Sequence, residues 1–383
     1  MGASSRRVCL FLVFLALVWA GCGASKPEQP VAQAPAVREM KPAVLDPEAK
    51  EAIDKGLAFL HANLDKDGSW GKHPGVTGIV LLAFLKSPRL YNDTDDPFVR
   101  RPLQYLLSLQ KPDGAIYDKE LANYSTSIAL EVLIATKNPK YQDAIRKARA
   151  YLLGSQLDKG EGYEESDPGY GGAGYGGSLR PDLSNTQMWA DALKDAEDSG
   201  LEKDSDAWKR MVVFVSRCQN RSESNSAKWA SNDGGIVYSP WESKAGEVML
   251  PDGRKGLRSY GAMTYAGLKS MIYAHVSKDD PRVQAAYAWI QKHYTIDENP
   301  ELGQQGVYYY YHTMAKALKA YGEDVLVDDK GVQHDWRSDL IKKLLSLERE
   351  DGSWVNTTDR WWEQNPVLVT AYVVLTLEEL ISK

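Results

Sequence analysis

The feature that most constrains this chain is a helix-pair unit that recurs six times along it. Each copy opens with a helix carrying a bulky pair: Phe59-Leu60, Tyr105-Leu106, Tyr151-Leu152, Phe214-Val215, Trp289-Ile290 and the degenerate Lys343-Leu344. Five residues after the first member of each pair stand Leu64, Gln110, Gln156, Gln219, Tyr294 and Glu348. In four copies an Asp-Gly turn follows: Asp67-Gly68, Asp113-Gly114, Asp233-Gly234 and Asp351-Gly352. Glycine there supplies the left-handed backbone that reverses the chain. A second helix closes each unit with a Thr near its start, at Thr77, Thr126, Thr186, Thr264, Thr313 and Thr370. Second helices such as Thr77 to Leu85 are apolar on all sides and read as inner helices. First helices carry a charged face, as over residues 140–149, and read as outer ones. Helix pairs of this kind must stack to bury their apolar faces, so six of them predict an all-α fold, an (α/α)6 toroid over residues 47–383.

Residues 1–46 lie outside the repeat. Arg6-Arg7, the apolar run Val8 to Trp19 and Ala20-Gly21-Cys22 read as a secretory signal. Small residues ahead of a Cys resemble the bacterial lipobox. The resemblance implies loss of residues 1–21, acylation of Cys22, and a lipid-anchored place in the bacterial cell envelope, periplasmic or at the outer membrane. Residues 22–46, rich in Ala and Pro, then read as a flexible tether. With Cys22 acylated, Cys218 is the remaining thiol, and no internal disulfide is expected. The net charge is −6 with acids and bases interspersed, which speaks against nucleic acid as a partner. Eleven Trp and 21 Tyr against six Phe favour rings with a polar handle, able to line a partly wet cavity.

The Gln-x-x-Asp-Gly-x-Trp-like turns after an amphipathic helix resemble the QW repeats of squalene and oxidosqualene cyclases and of protein prenyltransferase β subunits. The resemblance covers residues 47–383 and implies an isoprenoid-handling cavity. Class II cyclases protonate an alkene with the middle Asp of an Asp-x-Asp-Asp motif just before an inner-helix Thr. Here that place reads Asp182-Leu183-Ser184-Asn185-Thr186: the first acid is kept, and Ser184 stands where the proton donor would be. A hydroxyl cannot protonate an alkene. Asp93-Thr94-Asp95-Asp96 has the letters of the motif, but it falls on the opposite rim before Pro97, where a helix N-cap is expected. Prenyltransferases hold zinc with Asp, Cys and His. Tyr311-His312-Thr313 resembles the segment that supplies their His, whereas residues 260–264 offer neither Asp nor Cys. One His is not a zinc site, so no metal and no cofactor are expected.

Within the ring, loops from outer to inner helices emerge on one rim beside six inner-helix N-termini, whose open N–H groups would favour an electron-rich ligand. Two long segments enlarge that rim, residues 160–181 and 220–258. Deeper down, Glu131 and Asp191 each stand five residues after their Thr, at equal depth. Buried acids are costly unless paired or functional. Lys269 shares their repeat position in the fourth unit and can neutralise one of them. The candidate catalytic groups are Asp182, Glu131, Asp191 and His312; the candidate ligand-binding residues are Tyr170, Tyr175, Trp189, Tyr260, Tyr311 and Trp361. Three functions remain open at this level. The ring is a holder of a hydrophobic small molecule or an envelope protein partner, an isoprenoid cyclase or transferase using non-standard residues, or a glycan-active α/α-barrel enzyme. Aromatic walls suit sugar stacking and carbocation stabilisation alike.

Overall fold

The computed structural model describes residues 46–176 and 180–382. The signal, Cys22 and all of the tether but Asp46 lie outside the described residues. Among the described residues twelve α-helices follow in pairs: α1 (Pro47–Ala62) with α2 (Pro74–Lys86), α3 (Pro97–Ser108) with α4 (Ala122–Ala135), and α5 (Gln142–Gly154) with α6 (Leu183–Asp198). The second half continues with α7 (Ser205–Arg217) and α8 (Gly261–Tyr273), α9 (Pro281–His293) and α10 (Val307–Tyr321), and α11 (Trp336–Ser346) and α12 (Pro366–Ile381). Five of these helices start on a Pro, whose missing N–H and fixed φ suit the first helical position. Each even-numbered helix packs on the next, and α12 returns to α2, so the inner ring is closed. Burial follows this division. The α2 helix buries every residue from Pro74 to Leu85, whereas α7 buries one stripe of Ala207, Trp208, Met211, Phe214 and Val215.

The repeated residues are the joints of this ring. In five units the Thr hydroxyl accepts the N–H of a residue in the preceding loop: Trp70 to Thr77, Ile116 to Thr126, Ala173 to Thr186, Ile236 to Thr264 and Trp354 to Thr370, at 2.8–3.1 Å. The repeated Gln ties its turn to the next outer helix. Gln219 donates to Gly234 at 3.0 Å and to the carbonyl of Arg282 at 2.8 Å, and Gln156 donates likewise to Gly171 and Ala207. The turn glycines sit at positive φ against that same helix. A Cβ on Gly114 would stand 2.3 Å from the Lys147 carbonyl, and one on Gly352 would stand 3.0 Å from the carbonyl of Lys55. The second of these joins the sixth unit to α1 and closes the outer ring, with the Lys55–Glu348 ion pair at 3.3 Å beside it.

Two short hairpins decorate the ring: β1 (Glu247–Met249) with β2 (Lys255–Leu257), and β3 (Leu326–Val327) with β4 (Gln333–His334). The Asp93–Asp96 segment is structural. Asp93 is buried and accepts hydrogen bonds from Lys140 at 2.7 Å, Tyr141 at 2.8 Å and Asn138 at 3.2 Å, while Asp96 stands at the α3 N-cap. No helix of the described residues is long and apolar enough to cross a membrane.

Candidate ligand chamber

The N-terminal ends of the inner helices surround a chamber of about 400 Å³, within the range of small-molecule sites. Its walls are mainly rings and apolar side chains, among them Tyr124, Tyr260, Met263, Tyr309, Leu368 and Tyr372. A second cavity of about 480 Å³ shares the lining residues Leu121 and Tyr175 with it. At the mouth stand Trp361 and Trp362, 44% and 56% exposed, with His73 edge-on to Trp362 at 5.0 Å.

Sequence reasoning expects open helix N-termini here, and the structure corrects that expectation: the loops cap them. His73 Nδ1 accepts from Val76, Asp182 Oδ1 from Asn185, Asn299 Oδ1 from Ala262, and Asn365 from Val367 and Leu368. The Tyr175 carbonyl accepts from Asn123 on α4. Glu363 reaches α10 from 54 residues away, accepting the Tyr309 N–H at 2.8 Å and the Asn356 side chain at 2.6 Å. The positive helix ends are thus matched by carboxylates and amides of the protein itself, and little field is left for a bound anion. Burial raises both carboxyls above their ordinary range, Glu363 in direction and Asp182 to about 6.

One wall carries a polar group of its own. Ser184 Oγ lies 3.2 Å from the Tyr309 hydroxyl, which receives a hydrogen bond from the Gln187 amide at 2.8 Å. Gln187 in turn accepts from Lys269. About two helical turns below Ser184, the inner ring closes on a buried charge cluster. Asp191 lies 2.7 Å from Lys269 and 2.7 Å from Lys316. Glu131 lies 3.8 Å from Lys86 and 3.9 Å from Lys316. Burial works against the Asp191 carboxylate, but the two adjacent ammoniums prevail and hold it below the ordinary range. Glu131, with more distant partners, is raised by burial. Desolvation also lowers Lys269. This is ion-pair chemistry that closes the end of the ring, and Lys269 does neutralise an acid of equal depth.

The structure separates the candidate residues into groups. Tyr175, Tyr260 and Trp361 line the chamber. Asp182 stands directly behind the wall, with its two oxygens taken by the Asn185 backbone and side chain at 2.8 Å each. Glu131 and Asp191 belong to the charge cluster. His312 lies near it, 3.5 Å from Thr376; burial and the charges of Lys316 and Lys269 push its pKa down to about 3, so its ring is neutral. Tyr170, Trp189 and Tyr311 are not among the wall residues. Trp189 is buried against Trp208, its indole donating to the Leu152 carbonyl, and Tyr311 donates to the carbonyl of Ile296 at 2.8 Å. Among the described residues no group of three or more His, Cys, Asp or Glu side chains is arranged to hold a metal. Sequence reasoning passed over Tyr309, Gln187, Lys316 and Glu363. The first lay within the Tyr308–Tyr311 run as a signal, but its partners are more than 120 residues away.

Comparison with known proteins agrees with this architecture. Residues 74–236 match the family model of the squalene-hopene cyclase C-terminal domain. No curated protein matches the chain in sequence. The type II terpene cyclase MstE from Scytonema superposes with a TM-score of 0.54 at 14% identity, over 87% of this chain and 98% of the cyclase. A variant of that cyclase in complex with merosterolic acid A, its product, gives 0.51 at 16% identity over 87% and 97%. The family 76 α-mannanase from Bacteroides thetaiotaomicron gives 0.51 at 13% identity over 86% and 95%. At these identities the structural likeness speaks for the fold, which hosts more than one chemistry. The chain is an α/α toroid, and its residues 74–236 are similar to the squalene-hopene cyclase C-terminal domain.

Proposed function

We propose that this chain is a lipid-anchored envelope protein that holds an isoprenoid-like hydrophobic ligand in its chamber and does not protonate it by the class II cyclase route. The observation that carries the reading is the state of the wall at Ser184. By the resemblance to the class II motif, Ser184 stands in the proton donor's place; its hydroxyl is bonded to Tyr309, and the acid kept in that segment, Asp182, caps α6. The chamber walls themselves suit a chain of apolar and alkene carbons: Tyr124, Tyr260, Tyr309 and Tyr372 offer ring faces, and Met263 and Leu368 fill between them. The complex of the Scytonema cyclase with a terpenoid product supports the same ligand class on this fold. The anchor rests on Arg6-Arg7, the apolar run after them and Ala20-Gly21-Cys22.

The test is lipid mass spectrometry of the full-length protein extracted from its native membranes, beside the Trp361→Ala/Trp362→Ala variant. An isoprenoid released by the native protein and diminished in the variant supports the reading. An empty chamber, or an oligosaccharide in it, overturns it. Labelling with an alkynyl fatty acid checks the anchor: the label is expected on the native chain and not on Cys22→Ala.

A further inference from the structure

Two consecutive residues of the chamber wall, Ser184 and Asn185, carry hydrogen-bonding capacity that the described residues leave unused. The donor is oriented from below. An ammonium can only donate, so Gln187 Oε1 is the acceptor of the Lys269 bond and the Gln187 nitrogen must donate to Tyr309. The phenol oxygen thereby accepts from Gln187 and can give its own hydrogen to Ser184 Oγ, 3.2 Å away, a contact in which either oxygen can donate. Ser184 has no other hydrogen-bond partner among the described residues, and with the phenol as donor its hydrogen is free for the chamber it lines. Chains of this kind polarise one another, which strengthens the last donor.

The acceptor is the next residue. Asn185 is 1% exposed and lines the same chamber. Its Nδ2 donates to Asp182 Oδ2 at 2.8 Å, which fixes the amide orientation, and its Oδ1 is buried with no hydrogen-bond partner among the described residues. A buried acceptor without a donor is a standing cost that a ligand can relieve.

We infer that this pair seats a hydroxyl: the chamber takes an isoprenoid-like alcohol whose oxygen accepts from Ser184 and whose hydrogen goes to Asn185 Oδ1. The inference rests on the reading that the ligand is isoprenoid-like, and it names the head group. A hydroxyl is the simplest lipid group that gives and takes a hydrogen through one atom. A bare hydrocarbon leaves Asn185 Oδ1 unsatisfied, and an anionic head group offers it only further lone pairs. Tyr309, Gln187 and Lys269 are positioning residues in this arrangement, since they act on the ligand through Ser184.

The test compares geranylgeraniol with the C20 hydrocarbon of the same skeleton lacking the hydroxyl, titrated against the delipidated full-length protein with Trp fluorescence as the readout. The alcohol is expected to bind about tenfold more tightly, the discrimination that a hydrogen bond at a buried polar site brings. In Asn185→Ala that preference should shrink to near unity, and in Tyr309→Phe, which leaves Ser184 and Asn185 in place, it should narrow, the hydrocarbon being weakened less than the alcohol in both. Gln187→Leu, which keeps every wall residue, should narrow it in part; melting curves of all three exclude misfolding as the cause. Equal affinities for alcohol and hydrocarbon in the native protein, or variants that weaken both ligands alike, overturn the hydroxyl site and leave the isoprenoid reading standing. Failure of both ligands to bind overturns the isoprenoid reading and this inference with it.

Discussion

The indole of Trp189 donates to the carbonyl of Leu152 at 2.8 Å. Trp70 makes the same bond to Leu60, and Trp354 makes it to Leu344, both at 2.8 Å. Leu60, Leu152 and Leu344 occupy one repeat position, the second member of the outer-helix pair. In units one and six the indole comes from the residue after the Asp-Gly turn. In unit three the corresponding loop residue is Ala173, and an inner-helix Trp fills the gap instead. Trp189→Ala should therefore behave as a large core truncation, costing about 3–5 kcal/mol in denaturant unfolding, and should leave ligand affinity unchanged. A loss of ligand at undiminished stability would show that Trp189 faces a site after all.

That substitution also marks how far the sequence could be read. The Thr series and the Asp-Gly turns are local signals repeated at one structural position, so the ring and its inner and outer helices are legible from them. Lys269 was legible for the same reason, since its register matches Glu131 and Asp191. The wall was not. Ser184 meets Tyr309 across 125 residues, and Glu363 caps a helix that begins 56 residues before it. No repeat position encodes such pairings; they follow only from how the closed ring brings α6, α10 and the loop before α12 together. Trp189 was misleading because an aromatic on an inner helix can turn either way, and here it fills the missing turn position.

The charge cluster should respond asymmetrically to mutation. Lys269→Met removes one of the two ammoniums 2.7 Å from Asp191 and leaves a carboxylate that is 4% exposed short of partners. A loss of about 3–5 kcal/mol is expected, the usual cost of breaking a buried pair. Adding Asp191→Leu to Lys269→Met should restore part of it, because the carboxylate left short of partners is then removed and Lys316 keeps Glu131 at 3.9 Å. Denaturant melts of the native, single and double variants check this. A double variant less stable than the sum of its parts would count against the pairing.

Asp182 should give stability a pH dependence of recognisable sign. Its folded pKa, about 6, lies above the model-compound value of 3.8, because burial outweighs the Asn185 hydrogen bonds. The folded protein therefore holds this proton more tightly than the unfolded chain does. The resulting stabilisation is complete below the unfolded pKa and is lost as pH rises through about 6. A two-unit rise corresponds to about 3 kcal/mol. Asp182→Asn keeps a side chain able to cap α6 and does not titrate. Between pH 4 and 7 the native protein should lose stability relative to that variant by about this amount. A difference between the two that is the same at both pH values would mean that Asp182 ionises normally.

Trp361 and Trp362 adopt left-handed backbone, with φ of 56° and 64°, and Leu121, which also lines the chamber, has φ of 60°. Bulky residues in this region cost roughly 1 kcal/mol each relative to Gly, so three of them around one chamber are held there by the rest of the structure. Trp361 is fixed by its ring lying against Gly306, where a Cβ would come within 2.8 Å of it, and by Arg360 stacked at 4.1 Å. Trp362 has fewer restraints, chiefly the contact with His73. Trp362→Gly should therefore leave thermal stability unchanged or raise it by up to about 1 kcal/mol, since Gly adopts this backbone without strain. The same change removes a ring from the mouth and should speed the release of geranylgeraniol. Stability and ligand retention would then move in opposite directions, the behaviour of a position whose strain is maintained for the ligand. If both fall together, Trp362 is an ordinary packing residue, and the mouth is held by Trp361 alone.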